Sequence, residues 1–172
     1  MGKSIGKFSD TEAKTAHNFI KFIESFNVKQ IIYLSGISNS ESLSEHLSSR
    51  KNVESILKSS HIPFTVLRAG IIIGAGSASF EIIRDLVEKL PLMITPKWLN
   101  TRSQPIAVKN VIQFLTGVML KQFAFNNSFD IGGPEILTYK QMLLKFAEVR
   151  GLKRYIFILP IMTPRLSSYW LY

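Results

Sequence analysis

Cysteine is absent from the 172-residue sequence, and histidine occurs only three times, as His17, His46 and His61. Without cysteine, the chain can form no disulfide framework, no thiolate nucleophile and no zinc ribbon. Three histidines scattered along the chain also argue against a histidine-rich metal centre. We therefore predict no metal ligands.

Long apolar runs are also absent. The longest of them, at 69–75 and 156–162, fall well short of the roughly 20 residues that cross a bilayer. The polar residues 1–10 lack the apolar core of a secretory signal peptide. These features predict a cytoplasmic protein that makes no contact with a membrane.

Acidic residues are fewer than basic ones: the chain has 12 Asp and Glu and 21 Lys and Arg, which gives a formal net charge of +9. Such a charge could attract nucleic acid or phosphorylated ligands. The basic residues are dispersed, however, and the densest places, Arg50–Lys51 and Lys153–Arg154, are only pairs. Since no basic run is interleaved with aromatic residues, we expect a solvated basic surface and no nucleic-acid partner.

The sequence alternates helix-like and strand-like segments joined by short loops. Residue spacing predicts helices over 10–26, 43–59, 80–90, 110–121 and 138–150, and strands over 28–34, 64–73, 104–108, 128–131 and 155–159. Ser9 or Asp10 is the expected cap of the first helix, while Thr138 and Gly151 are expected to begin and end the last. This order is typical of an α/β fold with a largely parallel sheet, and the length favours one domain over 1–172.

A nucleotide-binding sheet of this class usually starts with a strand, a G-x-G-x-x-G turn and a helix. No such turn stands near the start of this chain. The similar segment is internal, Gly74-Ala-Gly-Ser-Ala-Ser79, and it has serine in place of the third glycine. Two alternatives remain open for it. It is either a tight turn that needs small residues for packing, or a backbone cradle for a phosphate or substrate anion.

Six short segments occur in an order shared with one known family. They are AHNF at 16–19, VKQIIYLSG at 28–36, LSEHLSSR at 43–50, FTVLRAGIIIG at 64–74, QPIAVKNV at 104–111 and FDIGGP at 129–134. Together they resemble the atypical, extended-like short-chain dehydrogenase/reductase group. Within that group the chain is similar to the bacterial NAD(P)-binding proteins described as nucleoside-diphosphate-sugar epimerase-like or NmrA-like.

The resemblance implies a partial Rossmann-type sheet, doubly wound and mostly parallel, with substrate-side elements from about residue 75. It implies NAD or NADP as cofactor and a nucleotide or nucleotide-sugar-like small molecule as ligand. It also implies that the family's first βαβ half, with its pyrophosphate loop, would precede Phe8, so that the chain is truncated. Loss of that half would expose a sheet edge, which predicts self-association or pairing with a separately encoded first half.

In this family a Tyr-x-x-x-Lys pair on a helix and a Ser ending the preceding strand carry out proton transfer. The matching positions here hold His46, Arg50 and Ser35, which the resemblance makes the catalytic candidates. A spacing of four residues puts His46 and Arg50 on one helix face, where Arg50 favours a neutral imidazole and offers a fork for phosphate or ribose. For His46, an ordinary helix-face position, a ligand contact and proton transfer all remain open.

The other candidate residues are binding residues. The resemblance implies cofactor binding at Ser35, Gly36, Arg50, Arg68 and Gly70. Arg68 interrupts an apolar strand, so it needs either an internal partner, Glu81 or Asp85, or a substrate phosphate or carboxylate. The substrate or anion candidates are Gly74, Gly76, Ser77, Ser79 and Arg84.

These observations lead to two main functional hypotheses. The first is an NAD(P)-dependent epimerase or oxidoreductase of the short-chain dehydrogenase/reductase type. The alternative is a non-catalytic, NmrA-like module that senses a dinucleotide or shapes a complex, and it gains from the missing fingerprint and the missing Tyr-x-x-x-Lys pair. A remnant that needs a partner half is a third hypothesis.

Overall fold

The computed structural model describes the backbone of residues 3–37 and 45–159 and the side chains of residues 9–37 and 48–159. The chain divides into two compact units, and both are discontinuous in sequence. Unit 1 comprises Met1–Gly70 and Lys109–Ile131, and unit 2 comprises Ile71–Val108 and Gly132–Tyr172. That the whole chain forms one domain stays a prediction.

A parallel three-stranded sheet organises unit 1. Its strands are β1 (Ile31–Gly36), β2 (Phe64–Ala69) and β7 (Asn127–Ile131), numbered by their order in the chain, and they lie in the order β1-β2-β7. Both neighbouring pairs are parallel. Four of the six residues of the central strand β2 are buried, which is the environment that favours its mostly apolar sequence.

The helices of unit 1 are α1 (Lys3–Ile23), α2 (Glu45–Lys58) and α4 (Val108–Gly117), the last beginning in unit 2 at Val108. Helices α1 and α2 pack against each other. Buried residues on α1 recur at helical spacing and meet others from β1 and α2, because an amphipathic helix buries one stripe. The core consists of Ala16, Ile20, Ile23, Ile31, Ile56 and Leu57.

Unit 2 combines two helices, α3 (Ala78–Lys89) and α5 (Tyr139–Val149), with three pairs of short strands. The parallel pairs join β3 (Ile72–Ile73) to β6 (Ile106–Ala107) and β4 (Leu92–Pro96) to β9 (Tyr155–Leu159). The antiparallel pair joins β5 (Arg102–Ser103) to β8 (Leu137–Thr138). The core consists of Ile71, Ile83, Val87, Met93, Leu99, Met142, Leu143, Ala147 and Ile156.

The predicted fold class is confirmed, because the structure is mixed α/β with mainly parallel strand pairs. The predicted limits of the last helix are confirmed too. Thr138 and Gln141 form a capping box at its start, with the Thr138 side chain accepting from the Gln141 amide. Gly151 follows the helix with a φ of 66°, the left-handed conformation that glycine adopts most easily.

Three predictions about the elements are wrong. Neither Ser9 nor Asp10 caps α1, because the helix begins at Lys3 and both residues lie inside it. The strand expected over 64–73 is interrupted after Ala69, and β3 then pairs with β6 rather than extending β2. Strand β4 lies where two prolines predicted a stiff connection, with Pro96 as its last residue.

Candidate functional site

The carboxyl ends of the parallel strands in unit 1 bring several predicted residues together. Ser35 on β1 lies opposite Arg68 on β2, and Gly36 lies opposite Ala69. Gly70 follows β2 directly. In open α/β sheets, ligands bind outside this edge of the sheet. The structure therefore places four of the five predicted cofactor residues, Ser35, Gly36, Arg68 and Gly70, on one sheet edge.

The hydroxyl of Ser35 is a buried polar group at this edge. Ser35 is only 6% exposed. Among the described residues no hydrogen-bond partner for its side chain is found. A buried hydroxyl without a partner carries a desolvation cost that a bound ligand would remove.

Arg68 is held by carboxylates of unit 1. Its Nη2 lies 2.6 Å from Oε1 of Glu54, its Nε donates to Oε2 at 3.4 Å, and Nη1 lies 3.9 Å from Oδ1 of Asp130. The internal partner foreseen for Arg68 exists, but Glu81 and Asp85 were the wrong candidates. Both of these belong to α3, where they bind Arg84. Hydrogen bonding to Glu54 raises the pKa of Arg68, which keeps its charge fixed at the strand end.

Glu54 is the residue at this site that the sequence analysis missed. Burial acts to raise the pKa of Glu54, but hydrogen bonds from Arg68 and Lys58 outweigh it, and the net pKa is lowered. The signal was present in the sequence, because Glu54 stands four residues from both Arg50 and Lys58 on a helix. A buried carboxylate with two cationic partners needs no ligand to be stable. The charge of Arg68 is therefore already paired with carboxylates, and its main role at the site is structural.

Tyr33, which interacts with Arg50, is a second polar residue that the sequence analysis missed. The guanidinium of Arg50 donates a hydrogen bond to the hydroxyl of Tyr33, a residue of β1 two positions before Ser35 and hence on the same face of the strand. Burial raises the pKa of Tyr33, the charge of Arg50 opposes this, and Glu12 and Glu54 add to the increase. Because the net pKa is raised, the Tyr33 hydroxyl stays protonated at neutral pH.

The predicted catalytic residue His46 lies in α2, but its side chain is outside the described residues. Its role in proton transfer stays a prediction. Ser35 and Arg50 are described, and they belong to β1 and α2, two elements in contact with each other. Catalysis by Ser35, His46 and Arg50 together is therefore untested.

The Gly74–Ser79 segment of unit 2 is explained by packing. A Cβ on Gly74 would lie 2.5 Å from Cγ1 of Val108. Gly76 has a φ of 81°, which favours glycine. The Ser77 hydroxyl donates to the carbonyl of Ile72 at 2.6 Å. Small residues are thus needed here even without a ligand.

The polar and charged groups beside this turn are also paired with other groups of the protein. The Gly76 amide lies 3.4 Å from a carboxylate oxygen of Glu81. Arg84 binds Glu81 at 2.5 Å and Asp85 at 3.1 Å, and the hydrogen bond to Asp85 raises its pKa. Ser79 is an exposed residue in the first turn of α3. Anion binding by Gly74, Gly76, Ser77, Ser79 and Arg84 stays a prediction.

Neither a metal-binding cluster nor a membrane-spanning helix occurs among the described residues. No group of three or more His, Asp or Glu side chains is placed to hold a metal ion among them. None of the helices in the described ranges is long and apolar enough to cross a membrane.

Comparison with solved structures identifies the architecture. No protein-family model and no curated protein matches the sequence. UDP-glucose 4-epimerase from Thermotoga maritima, solved with UDP-glucose, matches 94% of this chain and 60% of that chain with a TM-score of 0.74 and 14% identity. UDP-glucuronic acid 4-epimerase from Bacillus cereus, solved with NAD, matches 93% and 59%, with a TM-score of 0.75 and 14% identity.

A short-chain dehydrogenase/reductase superfamily protein from Agrobacterium tumefaciens, solved with NAD, matches 93% of this chain and 64% of that chain. Its TM-score is 0.70 and its identity 11%. The chain thus spans about three fifths of the length of the structures it matches. At these identities the likeness concerns the fold. The predicted resemblance is confirmed at that level: the chain has the fold of the short-chain dehydrogenase/reductase-type sugar epimerases.

Proposed function

We propose that the chain is an NAD(P)-binding protein of the short-chain dehydrogenase/reductase type, with its dinucleotide site at the carboxyl edge of β1, β2 and β7. The hydroxyl of Ser35 at that edge, which is buried and has no hydrogen-bond partner among the described residues, is the observation that carries the proposal. The NAD bound in the Bacillus cereus and Agrobacterium tumefaciens structures of the same fold supports it. The proposal covers both NAD and NADP as the dinucleotide.

The residues at the edge fit parts of a dinucleotide. Ser35 would exchange hydrogen bonds with a ribose or amide group, and Gly36 and Gly70 would let the backbone approach the ligand closely. Arg50, which is exposed and hydrogen-bonded to an uncharged hydroxyl, keeps donors for a phosphate or a ribose. Arg68 would position β2 through Glu54. When bound, a nicotinamide cofactor supplies hydride transfer.

The residues at the motif positions favour the non-catalytic alternative over an epimerase or oxidoreductase. His46 stands where the family motif has its tyrosine. Arg50 also replaces the lysine of the family motif and cannot release a proton. We therefore propose dinucleotide sensing as the primary role. Enzymatic activity through Ser35 and His46 is the second candidate.

A nucleotide-sugar-like substrate is the proposed second ligand. It is supported by the fold shared with the Thermotoga maritima enzyme, which was solved with UDP-glucose. Its predicted contacts are the small residues of the Gly74–Ser79 turn and Arg84. Because these groups are already engaged within the protein, we expect each of them to add little to the affinity for this ligand. Self-association through a sheet edge also stays a prediction.

Binding is tested by titrating NADH and NADPH into the labelled chain and following backbone amide chemical shifts. We expect saturable shifts at Ser35, Gly36, Arg68 and Gly70. Ser35→Ala should weaken binding about tenfold, the value of one buried hydrogen bond. Arg50→Gln should weaken it by about tenfold or more, since a charge-assisted bond is lost.

Ser55→Ala is the matched control, because Ser55 lies on the exposed side of α2 and bonds only to the Lys51 carbonyl. Its affinity should equal that of the unmodified chain. Absence of saturable shifts with both nucleotides would contradict the proposal. Turnover of a sugar or carbonyl substrate by the nucleotide-bound chain, lost in His46→Ala with binding retained, would establish the enzymatic candidate instead.

A further inference from the structure

Three polar side chains lie in one row across the unit 1 sheet. Ser35 on β1 is the register partner of Arg68 on β2, and Arg68 is the register partner of Asp130 on β7. Register partners in a parallel sheet point to the same face, and neighbouring strands lie about 4.8 Å apart. Each of the three strands ends one residue after this row. A hydroxyl, a guanidinium and a carboxylate therefore stand side by side near the carboxyl ends of the strands.

One nitrogen of Arg68 keeps its hydrogen-bond donors. Nε and Nη2 donate to the two carboxylate oxygens of Glu54. Nη1 lies 3.9 Å from Oδ1 of Asp130, which is too far for a hydrogen bond. Within the described ranges of the chain, neither Nη1 nor the Asp130 carboxylate has a hydrogen-bond partner. A donor and an acceptor thus lie next to each other with their hydrogen-bonding capacity unused.

The charges around this pair balance one another. Glu54 is bound by Lys58 as well as by Arg68, so two cations and two carboxylates form one cluster with Asp130. A phosphate placed at Nη1 would come close to the Asp130 carboxylate, and the like charges would oppose its binding. An uncharged group avoids this repulsion. The balance of charge therefore favours a neutral ligand group over an anion.

The separation between Nη1 and Oδ1 fits an amide. An amide presents a carbonyl oxygen, which can accept from Nη1, beside an N–H, which can donate to Oδ1. Two hydrogen bonds of about 2.9 Å can bridge atoms that stand 3.9 Å apart in this way. The Asp130 side chain is 63% exposed, whereas that of Glu54 is only 5% exposed. A ligand can therefore reach the outer pair without disturbing the buried anchor of Arg68.

We propose that Nη1 of Arg68 and the carboxylate of Asp130 bind the amide edge of a ligand, meaning a carbonyl oxygen beside an N–H group. Two of the proposed ligands carry such an edge: the carboxamide of a nicotinamide dinucleotide and the uracil ring of a UDP-sugar. Both sources rest on the proposed function. Ser35, at the other end of the row, would contact a neighbouring group of the same ligand.

Removal of the amide nitrogen from the ligand tests the proposal. NAD, NADP and their 3-acetylpyridine analogues are titrated by calorimetry into the unmodified chain and into Asp130→Ala. The analogues keep the carbonyl oxygen but carry a methyl group in place of the amide nitrogen. We expect Asp130→Ala to weaken binding of the natural dinucleotide about tenfold and that of its analogue by less than about twofold, because only the amide donates to Asp130. ADP-ribose, which lacks the nicotinamide ring, should bind both forms of the chain equally.

UDP distinguishes the two sources of the amide edge. A tenfold loss for UDP in Asp130→Ala, with N3-methyl-UDP unaffected, would assign the edge to uracil, and a loss confined to the dinucleotides would assign it to the carboxamide. Asp130→Asn keeps a carbonyl acceptor, so it should lose less affinity than Asp130→Ala. Glu24→Ala is the control variant, since Glu24 is exposed and directly follows α1. Its affinities should equal those of the unmodified chain, and circular dichroism checks that all variants fold.

The failure of this inference can be told apart from the failure of the proposed function. Absence of binding by every nucleotide would contradict the proposed function and the amide contact with it. Binding of a dinucleotide or of UDP with the same affinity by the unmodified chain and by Asp130→Ala would overturn the amide contact alone. Equal losses for NAD, its analogue and ADP-ribose would also overturn it, because they would place Asp130 against the part that these three ligands share.

Discussion

The carboxyl edge of the unit 1 sheet and the Gly74–Ser79 turn of unit 2 both had the sequence features of a ligand site. At the sheet edge, the buried hydroxyl of Ser35 has no partner within the part of the chain that the structure describes, and Arg50 is hydrogen-bonded to the uncharged hydroxyl of Tyr33. At the turn, Ser77, Gly76 and Arg84 already bond to groups of their own unit.

The difference teaches how to weigh small and charged residues. Glycines and serines between a strand and a helix satisfy packing first, and a ligand is only one explanation for them. A polar group that burial has left unsatisfied is the stronger indication of binding. The two regions can be compared directly by mutation.

The largest loss of stability is expected at Glu54, which holds Arg68 at the sheet edge. Glu54→Ala removes a buried carboxylate and leaves Arg68 and Lys58 without their shared partner. We expect a loss of about 3 kcal/mol in the free energy of unfolding, measured with urea. Glu88→Ala, which removes an exposed carboxylate bound to Arg150, is the control and should cost much less. Equal losses would contradict the anchoring role.

Substitutions in the Gly74–Ser79 turn should lower the stability of the chain without changing dinucleotide binding at Ser35. Gly74→Ala forces a Cβ against the stiff, branched Val108 and should cost about 2 kcal/mol. Gly76→Ala meets no neighbouring atom but places alanine at positive φ, which should cost about 1 kcal/mol. Urea unfolding measures both. Nucleotide-induced shifts at Ser35 should survive; their loss in both folded variants would assign ligand binding to the turn.

Glu54 and Tyr33, both in unit 1, should affect the dependence of stability on pH at its acid and its alkaline end respectively. The pKa of Glu54 is lowered in the folded chain, so its contribution is present at neutral pH and is lost as the pH falls through that pKa. Glu54→Gln should flatten this acid limb.

The pKa of Tyr33 is raised in the folded chain, so the stability linked to it is present below the ordinary tyrosine pKa and is lost as the pH rises through the folded value. Tyr33→Phe should reduce the alkaline loss. Unfolding curves collected across the pH range measure both effects. Identical alkaline limbs for Tyr33→Phe and the unmodified chain would contradict the burial of this hydroxyl.

The smallest effect is expected at Arg84. Its guanidinium is already bound by Glu81 and Asp85, so Arg84→Ala should change the dissociation constant for UDP by less than about twofold. Titration calorimetry is the measurement. A tenfold weaker complex would mean that Arg84 leaves its carboxylates to bind the ligand, and it would restore the turn as an anion site.

Sequence patterns predicted those elements that depend mainly on residues close together in the chain. The run from Phe64 predicted a buried strand because parallel strands covered on both faces are almost wholly apolar, and the Thr138 cap follows from side-chain hydrogen bonding. Strand β4 was missed because its partner β9 lies about sixty residues away and compensates for the flanking prolines. The Arg68–Glu54 pair needs the packing of α2 on the sheet, which no local spacing reveals.

The interleaving of the two units has a consequence for synthesis and dissection. Strand β7, the partner of β2, ends at Ile131, so the ribosome must deliver most of the chain before the unit 1 sheet can close. Each unit is also built from two separate stretches. Any single segment that contains all of one unit therefore also carries part of the other, so neither unit can be separated by one cut in the chain.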